Sequence, residues 1–249
     1  MSVPALSIVV PTYNEAGNIQ RLVERVSKAL DGTAFELIVV DDSTDGTEQI
    51  LKGMAREMSF LRVIHRTDRR GLASAVTEGF ALAAGDVVCV LDADLQHPPE
   101  AVPALVDALR RTAADLAIAS RYVPGGGYAF PPSRRVVSSV ATAMSRIALR
   151  RARRVADPIS GFFAFRKSVL DGVDLQPIGY KILLEILVRG RIACVVEVPY
   201  RFEARGAGES KLTFRQHLEF VRQLLALSVV PAGPVDRLID RRPRRPAES

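Results

Sequence analysis

The sequence predicts an α/β domain built on a mostly parallel, Rossmann-like sheet with helices on both faces. Over the first 120 residues, short apolar runs rich in Val and Ile alternate with longer segments of helical periodicity. Polar and acidic clusters follow several of those runs, which places them together at the edge where open α/β sheets bind ligands.

The elements follow in order. Residues 6–10 form an apolar strand, and 15–30 carry Ile19, Leu22, Val23, Val26 and Leu30 at helical spacing, with Gly32 as the stop. A second strand covers 35–40, and Asp45-Gly46-Thr47-Glu48 reads as an Asp-headed capping box opening a helix. The third strand, 61–65, passes through a charged loop at 66–70 to a helix that starts at Gly71 and ends near Gly85. Five apolar residues, 87–91, three of them Val, predict a buried strand that closes on Asp92-Ala93-Asp94. A helix at 99–112 and a strand at 115–120 complete the alternation.

The pattern changes after Tyr122. Pro124-Gly125-Gly126-Gly127 reads as a flexible loop. Pro131-Pro132 then leads to a helix with Val136, Val140, Met144 and Ile147 on one stripe. Strands are expected at 157–167 and 192–202, and an amphipathic helix at 214–229. Residues 1–232 are expected to form one catalytic domain, and 233–249, rich in Arg and Pro, a disordered tail. There are no internal repeats.

Composition narrows the function. With 249 residues and 48% hydrophobic content, the chain can bury a large core. Cys89 and Cys194 lie in separate apolar runs, as expected of buried thiols in a reducing compartment. His65, His97 and His217 lack zinc-like spacing. No secretory signal is expected, because Met1-Ser2-Val3-Pro4 runs straight into a strand. The longest membrane candidate, 224–232, includes Ser228 and Pro231 and falls far short of the roughly 20 residues a span needs. The net charge is +6, with arginines gathered at 134–135, 150–151, 153–154, 241–242 and 244–245. Such clusters suit an anionic membrane surface. Nucleic acid, the other anionic partner, is not expected, since no binding motif or interleaved aromatic residues accompany them.

The acidic pair is the most informative stretch. Two carboxylates set two apart at a strand end can share one divalent cation, and hard oxygen donors favour Mg2+ or Mn2+, which in turn favour phosphates. Pro11-Thr12-Tyr13-Asn14-Glu15 and the run from Asp41 to Thr47 end two other strands at the same edge. No G-x-G-x-x-G follows the first strand and no P-loop is present, which argues against a nicotinamide or flavin enzyme.

These three stretches resemble the family 2 inverting glycosyltransferases of GT-A fold. Four more narrow the likeness to dolichol- or polyprenol-phosphate mannose synthases: Ser120-Arg121-Tyr122, Asp157-Pro158-Ile159-Ser160-Gly161-Phe162, Gly179-Tyr180-Lys181 and Gly208-Glu209-Ser210-Lys211-Leu212. The resemblance covers residues 5–215. It implies that Pro11, Tyr13, Glu15, Val40 and Asp42 hold guanosine, that Asp92 and Ala93 contact the nucleotide sugar, and that Asp94 and Gln96 bind Mg2+ or Mn2+ with Asp92 orienting the complex. It further implies that Arg121, Arg205 and Lys211 grip phosphates, that Arg134 and Ser138, with Arg121, receive the acceptor phosphate, and that Glu185 touches sugar hydroxyls. Asp94, Arg205 and Lys211 would carry the chemistry, the last two from a glycine-rich lid.

The implied reaction is inverting transfer of mannose from GDP-mannose to dolichyl or polyprenyl monophosphate, with another donor such as UDP-glucose as the alternative. The absence of tryptophan argues against a processive polysaccharide synthase, which usually shows Gln-x-x-Arg-Trp. Some relatives continue into transmembrane helices. This chain resembles the type without them, expected to work at the cytoplasmic face of a membrane by surface attachment or through a membrane-anchoring partner.

Overall fold

The computed structural model describes residues 4–68, 71–129, 136–176, 178–206, 214–231 and 237–239. Arg134, Lys211 and the tail arginines from Arg241 onward, all singled out above, lie outside them.

Among the described residues the strands are β1 (Leu6–Thr12), β2 (Phe35–Asp41), β3 (Leu61–His65), β4 (Val87–Val90), β5 (Leu116–Ser120), β6 (Gly127–Tyr128), β7 (Phe163–Arg166), β8 (Cys194–Pro199), β9 (Arg201–Phe202) and β10 (Arg237–Ile239). The helices are α1 (Ile19–Ala29), α2 (Thr47–Glu57), α3 (Leu72–Leu82), α4 (Val102–Thr112), α5 (Val136–Ala148), α6 (Ile182–Arg189) and α7 (Phe214–Ser228). Eight strands form one sheet in the order β10-β8-β5-β7-β4-β1-β2-β3. All neighbours are parallel except β7, which runs antiparallel between β4 and β5. The mostly parallel α/β sheet is as the sequence predicts.

Both faces are covered because the central strands are apolar on both sides. α1, α2 and α4 bury Leu22, Val26, Leu51 and Leu105 on one face. α3 and α6 bury Val76, Phe80, Ile182 and Ile186 on the other. A third layer lies outside α6, where Phe220, Leu224 and Leu227 of α7 meet Leu184 and Val188.

Four boundaries differ from the sequence reading. α1 starts at Ile19 because residues 13–18 form a turn, with Asn14 in the left-handed region at φ 55°. The expected strand at 157–167 is strand only from Phe163, because side-chain bonds of Asp157 and Ser160 hold a turn before it. The run at 192–202 divides at Tyr200 into β8 and β9, the latter pairing with β6 in a two-stranded sheet. Residues 237–239, expected within a disordered tail, pair in parallel with β8, and Leu238 packs against the core. The parallel edge of β8 was open to another strand.

Candidate active site

The carboxyl ends of β1, β2 and β4 share one edge of the sheet, and the loops after β1 and β2 are laced together. The Asn14 amide donates to Ser43 Oγ at 2.7 Å, and the Thr44 amide donates to Asn14 Oδ1 at 2.9 Å. The Glu15 amide donates to Thr47 Oγ1 at 3.0 Å. The Ala16 amide donates to Asp45 Oδ2 at 3.2 Å. Beneath them, fully buried Asp41 accepts from Thr12 Oγ1 at 2.7 Å and meets His65 Nδ1 at 2.9 Å. Tyr13 projects outward, with 44% of its surface exposed beside this frame. An exposed ring on a rigid turn suits stacking against a base.

Asp92 and Asp94 follow β4. Leu95 adopts the left-handed conformation, φ 64°, and the Gln96 amide donates to Asp94 Oδ1 at 3.0 Å, curling the loop tightly. A second segment zips onto it. The Glu203 amide donates to Gln96 O at 2.9 Å, the Gly206 amide to Asp94 O at 3.2 Å, and Gln96 Nε2 to Glu203 O at 3.2 Å. Gly206 is needed there, since a Cβ would lie 2.7 Å from Asn18 Oδ1 and 2.8 Å from Leu95 Cδ1. This zip carries Arg205 across the edge, with Nη2 2.7 Å from Asp94 Oδ2 and Nη1 3.5 Å from Glu15 Oε1.

Burial raises the pKa of Asp94, and Asp92 adds to the effect. Asp92 is itself pushed up to about 6, chiefly by burial, although 35% of its side chain is exposed. A cation beside the two carboxylates would favour their ionised forms. Gln96 has committed its amide nitrogen to Glu203, which leaves its carbonyl oxygen as a further oxygen donor. Among the described residues no three His, Cys, Asp or Glu side chains converge on one point. A hard cation would therefore draw the rest of its shell from water and substrate phosphates, which is how Mg2+ is commonly held. The residues fit such an ion, and Arg205 competes with it for Asp94.

A narrow cleft of about 50 Å³ opens beside Asp92, lined by Val90, Ser160, Gly161, Tyr180 and Lys181. Gly161 explains the glycine of the Asp157–Phe162 motif, because a Cβ would stand 2.9 Å from Asp92 Oδ2 and 2.9 Å from His97 Cε1. His97 lies behind the acidic loop, its ring 5.4 Å from Phe162, 5.4 Å from Phe202 and 5.9 Å from Tyr200. Its Nδ1 accepts the Asp92 amide at 3.2 Å, and burial lowers its pKa to about 4. It is a neutral prop for the loop.

The residues implied by the resemblance divide into two groups. Tyr13, Glu15, Asp92, Ala93, Asp94, Gln96 and Arg205 gather at the edge. The other described ones have partners of their own. Asp42 is locked in a buried pair with Arg66, Oδ1 to Nε and Oδ2 to Nη2 both at 2.6 Å, and accepts the Gly71 amide at 3.0 Å. With both oxygens engaged, it braces the loop before α3. Arg121 makes two 2.7 Å bonds to fully buried Asp157 and lies 5.5 Å from the ring centroids of Tyr122, Tyr128 and Phe202. The pair with Asp157 and the surrounding rings hold the guanidinium in place. Glu185 is fully buried and accepts from Arg189 Nε at 2.8 Å. Pro11 and Val40 are buried opposite each other in adjacent parallel strands. Ser138 lies 3.1 Å from Tyr122 Oη and 3.3 Å from Tyr128 Oη, above the Arg121 cage.

Sequence reasoning named Lys181 only as part of a motif, and it assigned no role to Arg66. Arg66 gains its role from the pair it makes with Asp42, 24 positions earlier, and Lys181 from its place in the cleft lining beside Asp92.

The Glycosyl transferase family 2 profile matches residues 7–173. The Dolichol-phosphate mannosyltransferase of Pyrococcus furiosus is 45% identical over 236 residues, covering 94% of this chain and 66% of that protein. The chain therefore spans just under two thirds of that relative. The Saccharomyces cerevisiae Dolichol-phosphate mannosyltransferase is 39% identical, covering 91% of this chain and 88% of its own. The Polyprenol monophosphomannose synthase of Mycolicibacterium smegmatis is 38% identical, covering 83% and 80%. Among solved structures, glucosyl-3-phosphoglycerate synthase from Mycobacterium tuberculosis with Mn2+, UDP-glucose and phosphoglyceric acid superposes with a TM-score of 0.69 at 25% identity, covering 92% of this chain and 82% of that one. The same enzyme with Mg2+ and UDP gives 0.66 at 23% identity, covering 90% and 78%. The structural likeness is one of fold.

Proposed function

The chain belongs to glycosyltransferase family 2, among the dolichol-phosphate mannosyltransferases, and from that premise we propose that it transfers mannose from GDP-mannose to dolichyl or polyprenyl monophosphate with inversion, at the cytoplasmic face of a membrane. One observation carries this reading: an acidic, cation-ready edge adjoins a helical layer with an apolar outer surface. Val140, Met144 and Ile147 of α5, and Leu218, Val221 and Leu225 of α7, are all exposed. Each set repeats at three- or four-residue spacing, so each forms one stripe. α5 and α7 contact each other, and α7 also packs on the segment carrying Tyr180 and Lys181. Among the described residues no helix is long and apolar enough to cross a membrane. A surface-lying layer suits a lipid-borne acceptor instead.

In this reading Tyr13 and Glu15 hold the nucleotide, while Asp92, Asp94 and Gln96 would hold Mg2+ or Mn2+, whose Lewis acidity serves the departing diphosphate. Arg205 would leave Asp94 for the diphosphate and neutralise charge that grows there. Lys211 is proposed to share that work, and Arg134 with Ser138 to meet the acceptor. No spare general base is needed. Glu15 is bonded by Asn18 and Arg205, Asp94 by Arg205, and His97 is sealed in. A phosphate monoester, with a second pKa of about 6, already offers an anionic oxygen at neutral pH. The protein has to align that oxygen with the anomeric carbon.

The test is to incubate the purified protein with Mg2+, GDP-mannose or UDP-glucose, and either polyprenyl phosphate or the matching polyprenol, and to weigh the lipid product. Mannosyl transfer to the phosphate alone is expected. Efficient glycosylation of the free alcohol, or faster transfer from UDP-glucose, overturns the reading.

A further inference from the structure

Lys181 is a cation with no direct ion pair among the described residues. It precedes α6, lines the cleft beside Asp92, and is half-buried. The buried and half-buried arginines of this region are matched: Arg66 with Asp42, Arg121 with Asp157, Arg189 with Glu185, and Arg205 with Asp94. Among the described residues Lys181 forms no ion pair, and its Nζ lies 4.8 Å from the centroid of the Tyr180 ring. An ammonium held partly out of bulk water, with an aromatic face beside it and the Asp92 carboxylate in the same cleft but no direct ion pair, gains from an incoming anion. Burial brings its pKa down to about 8, with Arg121 pushing the same way and Asp92 and Asp157 opposing, so it remains mostly cationic at neutral pH.

Its backbone is fixed from the side of the outer layer. Lys181 O accepts from Gln223 Nε2 at 3.1 Å, and Gln223 is fully buried in α7. The Tyr180 ring lies 6.5 Å from that of Phe220, on the same helix. Gly179, at φ 70°, turns the chain against Glu219 and Gln223. The outward side of α7 is the apolar stripe of Leu218, Val221 and Leu225. One helix, about 10 Å across, therefore separates the proposed lipid surface from the ammonium.

We infer that Lys181 receives the phosphate of the lipid acceptor and holds it for attack, an assignment that rests on the reaction proposed above. The donor diphosphate has its own cation, Arg205, on the side of Asp94 and Glu15. Inversion requires the nucleophile to approach the anomeric carbon opposite the leaving group, and Lys181 stands on the other flank of Asp92, toward α7. In the step itself, an acceptor phosphate oxygen forms a bond to the anomeric carbon. The bond from that carbon to the β-phosphate oxygen of GDP breaks, and its electron pair leaves with GDP. No proton moves. The acceptor loses one negative charge and GDP gains one. Lys181 offsets the repulsion between two anions brought together, which is a positioning effect on a substrate it touches.

Two measurements on the full chain test the assignment. In the first, Lys181→Met and Lys181→Arg are compared with wild type for melting temperature, GDP binding by calorimetry with Mg2+, and steady-state kinetics with farnesyl phosphate. The expected result for Lys181→Met is a kcat/KM at least 30-fold lower, with GDP affinity within twofold and partial recovery in Lys181→Arg. Unchanged kcat/KM, or a matching loss of GDP affinity, overturns the assignment. The second measurement needs no variant: wild-type Lys181 is acylated with an amine-reactive reagent and read by peptide mass. Farnesyl phosphate should protect it and GDP with Mg2+ should not; the reverse pattern overturns the assignment. If wild type transfers no sugar to farnesyl or longer prenyl phosphates, the proposed reaction fails. If it transfers while Lys181 proves inert, only this inference fails.

Discussion

The loops after β1 and β2 and the outer layer of α5 and α7 are built on opposite plans. In the loops, Asn14, Ser43, Thr44, Asp45 and Thr47 bind one another through side chain and backbone, so that the turn is fixed before any ligand arrives. In the outer layer, α7 is held by Phe220, Leu224 and Leu227 on its inner side and by Gln223, while its outer side exposes the hydrocarbon of Leu218, Val221 and Leu225 beside His217 and Arg222. A nucleotide has fixed donors and acceptors and rewards a preorganised polar frame. A prenyl chain has none, and apolar area serves it without precise geometry. The contrast teaches where each kind of recognition can be lost: by one substitution in the frame, and only by degrees on the face.

The largest effect should follow from Asp94→Ala. The variant is expected to lose turnover by at least about a thousandfold, because the departing diphosphate loses its electrophilic support. Circular dichroism and melting should stay near wild type, since Asp94 caps only a loop. Near-native turnover of Asp94→Ala in excess EDTA would remove the acidic edge from the chemistry.

Arg121→Ala distinguishes a frame residue from a ligand. Removing one half of a buried, doubly bonded pair leaves the Asp157 carboxylate uncompensated, and the expected cost is about 3–5 kcal/mol in urea unfolding. If stability holds while the KM for prenyl phosphate rises, Arg121 serves the acceptor phosphate, as the resemblance implies.

That residue also marks the limit of what the sequence made legible. Alternating apolar runs exposed the parallel sheet, since a strand buried on both faces must be hydrophobic throughout, as Val87-Val88-Cys89-Val90 is. The Asp92-Ala93-Asp94 turn stood out because it ends such a run. The pairing of Arg121 with Asp157, or of Asp42 with Arg66, joins residues 36 and 24 positions apart through tertiary folding, and no local pattern encodes it. The same holds for the apolar stripes of α5 and α7. Periodicity reveals the stripes but not which way they face, since an amphipathic helix can turn its apolar side to the core or to a lipid interface; Ile147 is 75% exposed.

A third expectation concerns acid. The pKa of His97 falls from its ordinary 6.5 to about 4 on burial, so the folded state favours the neutral ring. A depressed pKa contributes stability that is present above pH 6.5 and lost as pH falls toward 4, amounting to about 3 kcal/mol. Asp92 acts the other way, because its raised pKa of about 6 favours folding as it protonates on acidification, to an extent that its partial exposure to solvent discounts. Wild type should therefore lose stability between pH 6.5 and 4 less steeply than His97 alone dictates. Asp92→Asn should steepen the loss, and His97→Gln should flatten or reverse it. Identical pH profiles for all three proteins would show that neither group titrates as its burial requires.

The smallest expected effect falls on the outer face. Leu225 is 66% exposed and Ile147 75%, so their truncation removes little from the folded core. If these side chains enter the lipid, each loses transfer energy when cut to alanine, about 1.5 kcal/mol for an aliphatic side chain, or roughly tenfold in partitioning. Leu225→Ala and Ile147→Ala should each weaken cosedimentation with anionic vesicles by about that factor and combine near additively, since they lie on different helices. Turnover on a detergent-soluble acceptor should be unchanged, because neither residue touches the cleft. Undiminished vesicle binding in the double variant, with the same turnover, would mean that the face meets a protein partner and that membrane attachment resides elsewhere in the molecule.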